Sequence, residues 1–297
     1  MTLGEPTVPH TGTGKSQQPT FSFEFFPPRT ALMQRKFWRT VGRMEALSPA
    51  FFSVTYGALG SGQTQSVDTV KALCAESDVP VAAHLTCVGA NRETLNAVIH
   101  DLRDCGIRGV VALRGDGEEP GAPFCAHPDG YQSVPELVTY LRGSGEQAIS
   151  VAAYPEVHPQ ASSPEEDLLH LKRKLDAGAD QAITQYFFEA EDFLRFRDRA
   201  IAAGIAKPII PGILPIHNYQ RVVQFSQRCG ASVPTRFADD YARLDNDPQG
   251  RYEFSVALAV RLGETLMAEG VSQFHFYTLN QTDLSHAVCC ELLREPQ

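Results

Sequence analysis

VAAHLTCVGANRETLNAVIHDLRDC (81–105) holds one copy of the pattern from which the fold is read. VAAHLTC (81–87) is a short apolar run without strict alternation, as expected of a strand covered on both faces. In residues 91–105, Leu95, Val98, Ile99 and Leu102 have the spacing of one helical face. Together they predict a strand followed by a helix that packs back on it.

The same unit recurs on both sides. TFSFEFF (20–26) precedes a helical stretch at 31–47, and AFFSVTYG (50–57) precedes one at 65–76. RGVVALRG (108–115) is followed by a Gly- and Pro-rich loop and a helix at 133–144. ISVAAYP (149–155) leads to 164–176, whose first turn holds three acids suited to a helix start. DQAITQYFF (180–188) leads to 190–203, and KPIIPGILP (207–215) to 219–228. VSQFHFYTL (271–279) lies between helical stretches at 251–269 and 282–293. Eight such units predict an α/β fold, a closed (βα)8 barrel of the TIM type. A doubly wound open sheet competes, but the GxGxxG turn that usually marks its dinucleotide site does not occur. Residues 231–250 read as an irregular insertion after the seventh strand, and residues 1–19 as a mobile tail, leaving 20–297 as a single catalytic domain.

Net charge is −9, from 26 Lys+Arg against 35 Asp+Glu, which argues against nucleic-acid binding. The seven cysteines are odd in number and form no CxxC pair, so neither a disulfide framework nor a zinc knuckle is expected. No apolar run reaches the ~18 residues of a membrane span, and no export leader is seen. The cytoplasm is the expected compartment.

In a barrel the C-terminal strand ends face the active site. There the sequence places Glu24, Thr55, Tyr56, His84, Thr86, Arg114, Gly115, Asp116, Tyr154, Glu156, His158, Gln185, Tyr186, His275 and Tyr277. A ring of polar residues at one depth is better explained by a pocket than by packing. Glu24 either pairs with a buried arginine or, beside Phe21, Phe23, Phe25 and Phe26, keeps a proton for transfer. No histidine or carboxylate stands at metal-ligand spacing from His84, and no metal is expected. In DLLHLKRKLDAG (167–178), Asp167, His170 and Lys174 share a helical face with Arg173 beside them. That stripe is either solvated or a grip on phosphate. Gly212 and Pro215 either end a strand or admit a flat ring close to the backbone.

SFEFFPPRT, FFSVTYGA, HLTC, ALRGD, AAYPEVHP, DLLHLKRKLDAGAD, ITQYFF, PGILP and FHFYTLN, in this order, resemble the bacterial methylenetetrahydrofolate reductase family from about residue 19 to residue 293. The resemblance implies a barrel that binds FAD and works by a ping-pong mechanism. NADH or NADPH, with NADH favoured, reduces the flavin, which then reduces 5,10-methylenetetrahydrofolate to 5-methyltetrahydrofolate for methionine synthesis. It implies Glu24 as the acid toward the folate, Asp116 as the carboxylate near flavin and pterin, and Gln185 as a contact to both substrates. Phe225 matches an aromatic where the substrates alternate. Flavin contacts are implied for Thr55, His84, Leu113, Arg114, Gly115, Asp116, Tyr131, Gln132, Tyr154, His158, Asp167, His170, Arg173 and Lys174.

Several positions depart from the family pattern: His170 stands where asparagine is usual, Gln132 replaces a smaller residue, and Gln281 replaces an arginine. Arg221 stands where the family has glutamine, so it is expected to have exchanged roles with Gln281 at the folate tail. A homo-oligomer is implied as well. Another flavin or folate barrel, a pterin-binding methyltransferase and a non-catalytic scaffold are the competing readings.

Overall fold

The computed structural model describes residues 18–57, 62–115, 124–145 and 148–294. In chain order the elements are β1 (Thr20–Phe25), α1 (Ala31–Glu45), β2 (Phe51–Val54), α2 (Gln63–Glu76), β3 (Val81–Thr86) and α3 (Arg92–Asp104). Then come β4 (Gly109–Leu113), α4 (Val134–Gly143), β5 (Ile149–Ala153), α5 (Pro164–Asp176), β6 (Gln181–Tyr186) and α6 (Ala190–Ala202). The chain finishes with β7 (Ile209–Ile213), α7 (Tyr219–Cys229), α8 (Arg236–Arg243), α9 (Pro248–Ala268), β8 (Gln273–Tyr277) and α10 (Thr282–Leu292).

The eight strands close into one barrel in sequence order, and every pair is parallel. The expected (βα)8 architecture is therefore the one observed. Helix starts follow from local chemistry: Asn91, Ser133, Ser163 and Asn218 each accept a backbone N–H of the first turn through their side chains. Pro at the start of α4 and α5 supplies a preset φ where no donor is needed.

Strand alternation sorts the side chains into two layers. Phe21, Phe23, Phe25, Phe52, Val54, Phe274 and Phe276 face the helices and are buried in the main core. Ser22, Glu24, Ser53, His84, His275 and Tyr277 have the opposite parity and face the lumen.

The region 231–250 is not irregular. It holds α8, where Phe237 and Tyr241, one turn apart, bury into a second cluster with Leu214, Ile216 and Val222. Eight residues between turn formers show too little periodicity to be seen in sequence. α9 starts at Pro248 rather than 251, because Asp247 caps it by accepting the Gly250 N–H at 2.9 Å. Among the described residues no helix is long and apolar enough to cross a membrane.

Candidate active site

Glu24 is in register between Ser53 of β2 and Tyr277 of β8, near the C-terminal end of the lumen. Its expected aromatic surroundings are not there. Successive residues of a strand point to opposite faces, so Phe25 packs on Phe37 of α1, centroids 5.6 Å apart. Phe21 and Phe23 both meet Phe276, at 5.8 Å. The carboxylate instead faces imidazoles: His84 Nε2 is 3.6 Å and His275 Nε2 3.9 Å from its Oε2.

Burial pushes the His84 imidazole down to about 4, with the Glu24 charge offsetting only part of it and His275 adding to it. At neutral pH His84 is therefore uncharged, and its contact with Glu24 is not an ion pair. No arginine neutralises the carboxylate among the contacts of the described residues. His84 Nε2, Thr55 Oγ1 and Ser53 Oγ are buried without a hydrogen-bond partner among the described residues. Each such group costs about 1–3 kcal/mol unless something polar meets it. Three in one lumen fit a polar ring system seated there.

The close approach at Gly212 is internal. A Cβ there would lie 2.2 Å from the Thr184 carbonyl oxygen and 2.6 Å from the Tyr277 ring. The flat ring beside this backbone is Tyr277, whose hydroxyl donates to the Thr184 carbonyl at 2.7 Å. Burial and the Glu24 charge push that phenol well above its ordinary value, so it stays protonated.

A second group of polar residues gathers where β4, β5 and α5 meet. The Asp167 carboxylate accepts the His158 backbone N–H at 3.0 Å, and the His158 ring stands edge-on to Tyr154 at 4.6 Å. Arg114 Nη2 is 3.3 Å from His158 Nε2 and donates to Gln160 Oε1 at 2.6 Å. Lys174 donates to the Ala152 carbonyl at 2.5 Å. Burial pushes the Lys174 ammonium down to about 8, opposed by Asp167 and reinforced by Arg114. Two cations held this close suit a bound diphosphate, which would supply the missing negative charge. On this face of α5, Asp167 and Lys174 are half-buried and hydrogen-bonded, whereas His170 and Arg173 are exposed.

The other residues named from sequence divide. Gly115, at φ +87°, turns the chain after β4, where a Cβ would strike Val88 at 2.6 Å. Leu113 pairs in register with Thr86. Tyr131 is engaged elsewhere: its hydroxyl donates to Asn96 at 2.7 Å, and Arg92 lies over its ring. The Gln132 amide is spent on the carbonyls of His127 and Gly130. Asp116 lies outside the described residues. Gln185 is half-buried and accepts the Tyr186 N–H at 3.0 Å, so it is not unpaired. Phe225 stacks on Tyr186 at 6.1 Å, which brings α7 to the Gln185 edge. Arg221 and Gln281 are both exposed, at the starts of α7 and α10.

Sequence reading missed Ser22, Ser53 and Gln160. For the two serines the period-two spacing from Glu24 and the strand ends was the available signal; for Gln160 none was. A cleft of about 490 Å³ lies elsewhere, lined by Arg43, His217, Arg251, Tyr252 and Asp283. None of the residues named from the sequence lines it, so the chemistry of the lumen rather than the size of a cavity marks the site.

The family model for methylenetetrahydrofolate reductase matches residues 11–293. A 5,10-methylenetetrahydrofolate reductase of Pectobacterium carotovorum is 44% identical over 268 residues, covering 90% of this chain and 88% of that protein. The protein of that name from Escherichia coli is also 44% identical over 268 residues, with the same coverage. Among solved structures, a Clostridium thermocellum protein described as binding two copies of 5-methyl-5,6,7,8-tetrahydrofolic acid superposes with a TM-score of 0.66. Its identity is 13%, covering 93% of this chain and 95% of that one, so it speaks to the fold alone. With the barrel, the lumen carboxylate and these matches together, the chain belongs to the methylenetetrahydrofolate reductase family.

Proposed function

We propose that the protein reduces 5,10-methylenetetrahydrofolate to 5-methyltetrahydrofolate with NADH, or NADPH, in two half-reactions that use one site in turn. The product would supply methyl groups for methionine synthesis. The observation that supports this most is Glu24 in the barrel mouth, beside a neutral His84 at 3.6 Å and with no lysine or arginine paired to it among the described residues. FAD, when bound, supplies the hydride carrier between the two substrates. Arg114 and Lys174 would hold its diphosphate, Asp167 and His158 would order that pocket, and Thr55 and His84 would meet its polar groups inside the mouth.

Glu24 would give its proton to N10 of the folate. The electron pair of the N10–methylene bond then returns to nitrogen, the five-membered ring opens, and an iminium remains at N5 to take up hydride. Asp116, directly after Gly115, would hold the pterin through its carboxylate. Gln185 would contact each substrate in turn, and Phe225 would line the place they share. The family resemblance also implies a homo-oligomer.

Arg221 would meet the folate carboxylates in place of Gln281. The two loops concerned are in contact, since the backbone of Gln281 hydrogen-bonds to His217 just before α7. In Arg221→Ala the KM for folate is expected to rise roughly tenfold, the worth of one charge-assisted hydrogen bond. NADH oxidation should change little. An unchanged folate KM removes the exchange.

The whole reading is tested by an anaerobic titration of the purified protein. NADH should bleach the visible flavin band, and methylenetetrahydrofolate should restore it. A protein that takes up no flavin when FAD is added would return the scaffold reading.

A further inference from the structure

The seven cysteines are all free, and the function proposed above uses none of them. Two of them, far apart in sequence, are brought together by the packing of neighbouring helices. Cys74 lies in the last turn of α2, and Cys105 is the C-cap of α3. Lys71 of the first helix meets Asp101 of the second at 2.6 Å. One turn further along both, the Cys74 thiol hydrogen-bonds to that of Cys105. Cys105 Sγ also donates to the Leu102 carbonyl at 2.9 Å, which fixes where its sulfur points. Both thiols are half-buried, packed on the edge of the main core.

Two cations flank the pair. The Lys71 ammonium interacts with Cys105 and the Arg108 guanidinium with Cys74. A cation beside a thiol favours the thiolate, which is the reactive form. At Cys74 burial outweighs this and, with the neighbouring sulfur, pushes the thiol up to about 12, so the first attack falls to Cys105. We propose that Cys74 and Cys105 are a site of reversible oxidation, at which a disulfide closes and ties α2 to α3.

The oxidant is a small-molecule disulfide. The Cys105 thiolate attacks one of its sulfurs, and the other sulfur leaves with the electron pair of the broken bond. Cys74 then gives up its proton, and its sulfur attacks Cys105 Sγ and expels the second half of the reagent. The two cysteines lose two protons and two electrons, all of which leave with the reagent as two thiols. Helices of a (βα)8 barrel run back from the C-terminal strand ends, so the ends of α2 and α3 lie on the face away from Glu24. The bond encloses residues 74–105, which include β3, without entering the mouth. Its effect is on stability, because it restricts the unfolded chain.

The test uses the native holoenzyme incubated with oxidised glutathione. Free thiols are then capped with iodoacetamide, and the unreduced digest is mapped by mass spectrometry. The expected product joins the peptides of Cys74 and Cys105. The melting temperature should rise by about 7 °C and fall back when dithiothreitol is added. In Cys74→Ser and in Cys105→Ser that rise should be absent. Glutathione left on either cysteine, both thiols capped by iodoacetamide, or a bond to a different cysteine would overturn the proposal. A joined pair with an unchanged melting temperature would overturn the bracing of the barrel. The digest of the parent decides the pairing even where a variant fails to fold.

Discussion

In Glu24→Gln the folate half-reaction is expected to slow by about 10³-fold, within the range that a positioned general acid contributes. Reduction of the flavin by NADH should stay near the parent rate, since that step needs no proton from residue 24. The substitution keeps the size of the side chain and removes the transferable proton. It also breaks no ion pair with His84, which is 3.6 Å away and neutral at working pH. A loss of folding stability is therefore not expected, and circular dichroism melts serve as the control. Single-turnover kinetics of each half-reaction make the measurement. Equal slowing of both would remove Glu24 from the role of a folate-specific acid.

Gly212→Ala is expected to destabilise the barrel by about 3 kcal/mol or more, lowering Tm by roughly 6 °C or more. The added methyl would sit 2.2 Å from the Thr184 carbonyl oxygen, a backbone atom of β6 that cannot swing aside. Thr184 is held twice over, accepting the Gly212 N–H through Oγ1 at 2.9 Å and the Tyr277 hydroxyl through its carbonyl at 2.7 Å. Relief would have to separate β6 from β7 or push Tyr277 away, and Tyr277 is the register neighbour of Glu24. The folate half-reaction should weaken along with stability. Gly42→Ala is the contrast: nothing lies within 4 Å of its added methyl, and the position is inside α1. There the substitution should stabilise by up to about 1 kcal/mol, from helix propensity alone. Thermal melts of both variants make the comparison, and equal Tm values would refute the steric account.

The barrel was legible because its units are local. Each apolar run followed by a helical face, as in residues 81–105, states its own secondary structure, and eight in succession admit few closures. α8 was hidden for the opposite reason. Its two anchors, Phe237 and Tyr241, acquire meaning only from a cluster built of Tyr186 in β6, Leu214 and Ile216 after β7, and Val222 in α7. The phosphate-type grip was half legible. Helical spacing put Asp167, His170 and Lys174 on one face, but which of them turns inward depends on how α5 lies on β5, and only Asp167 and Lys174 do so.

By itself the sequence determined the kind of protein this is: the count and order of βα units, the polar residues at the strand ends, and the carboxylate in the first strand. These are written in periodicities of two and 3.6, which nearby residues settle among themselves. The surroundings of that carboxylate were decided only in three dimensions. In sequence Glu24 has phenylalanine on either side, yet the pleat sends those rings outward to the helices, and barrel closure brings His275 from 251 residues further along to face it. Neighbours in a strand are parted by its alternation, while strands far apart in the chain meet across a closed lumen. Which groups govern a buried proton is for that reason a property of the closed barrel.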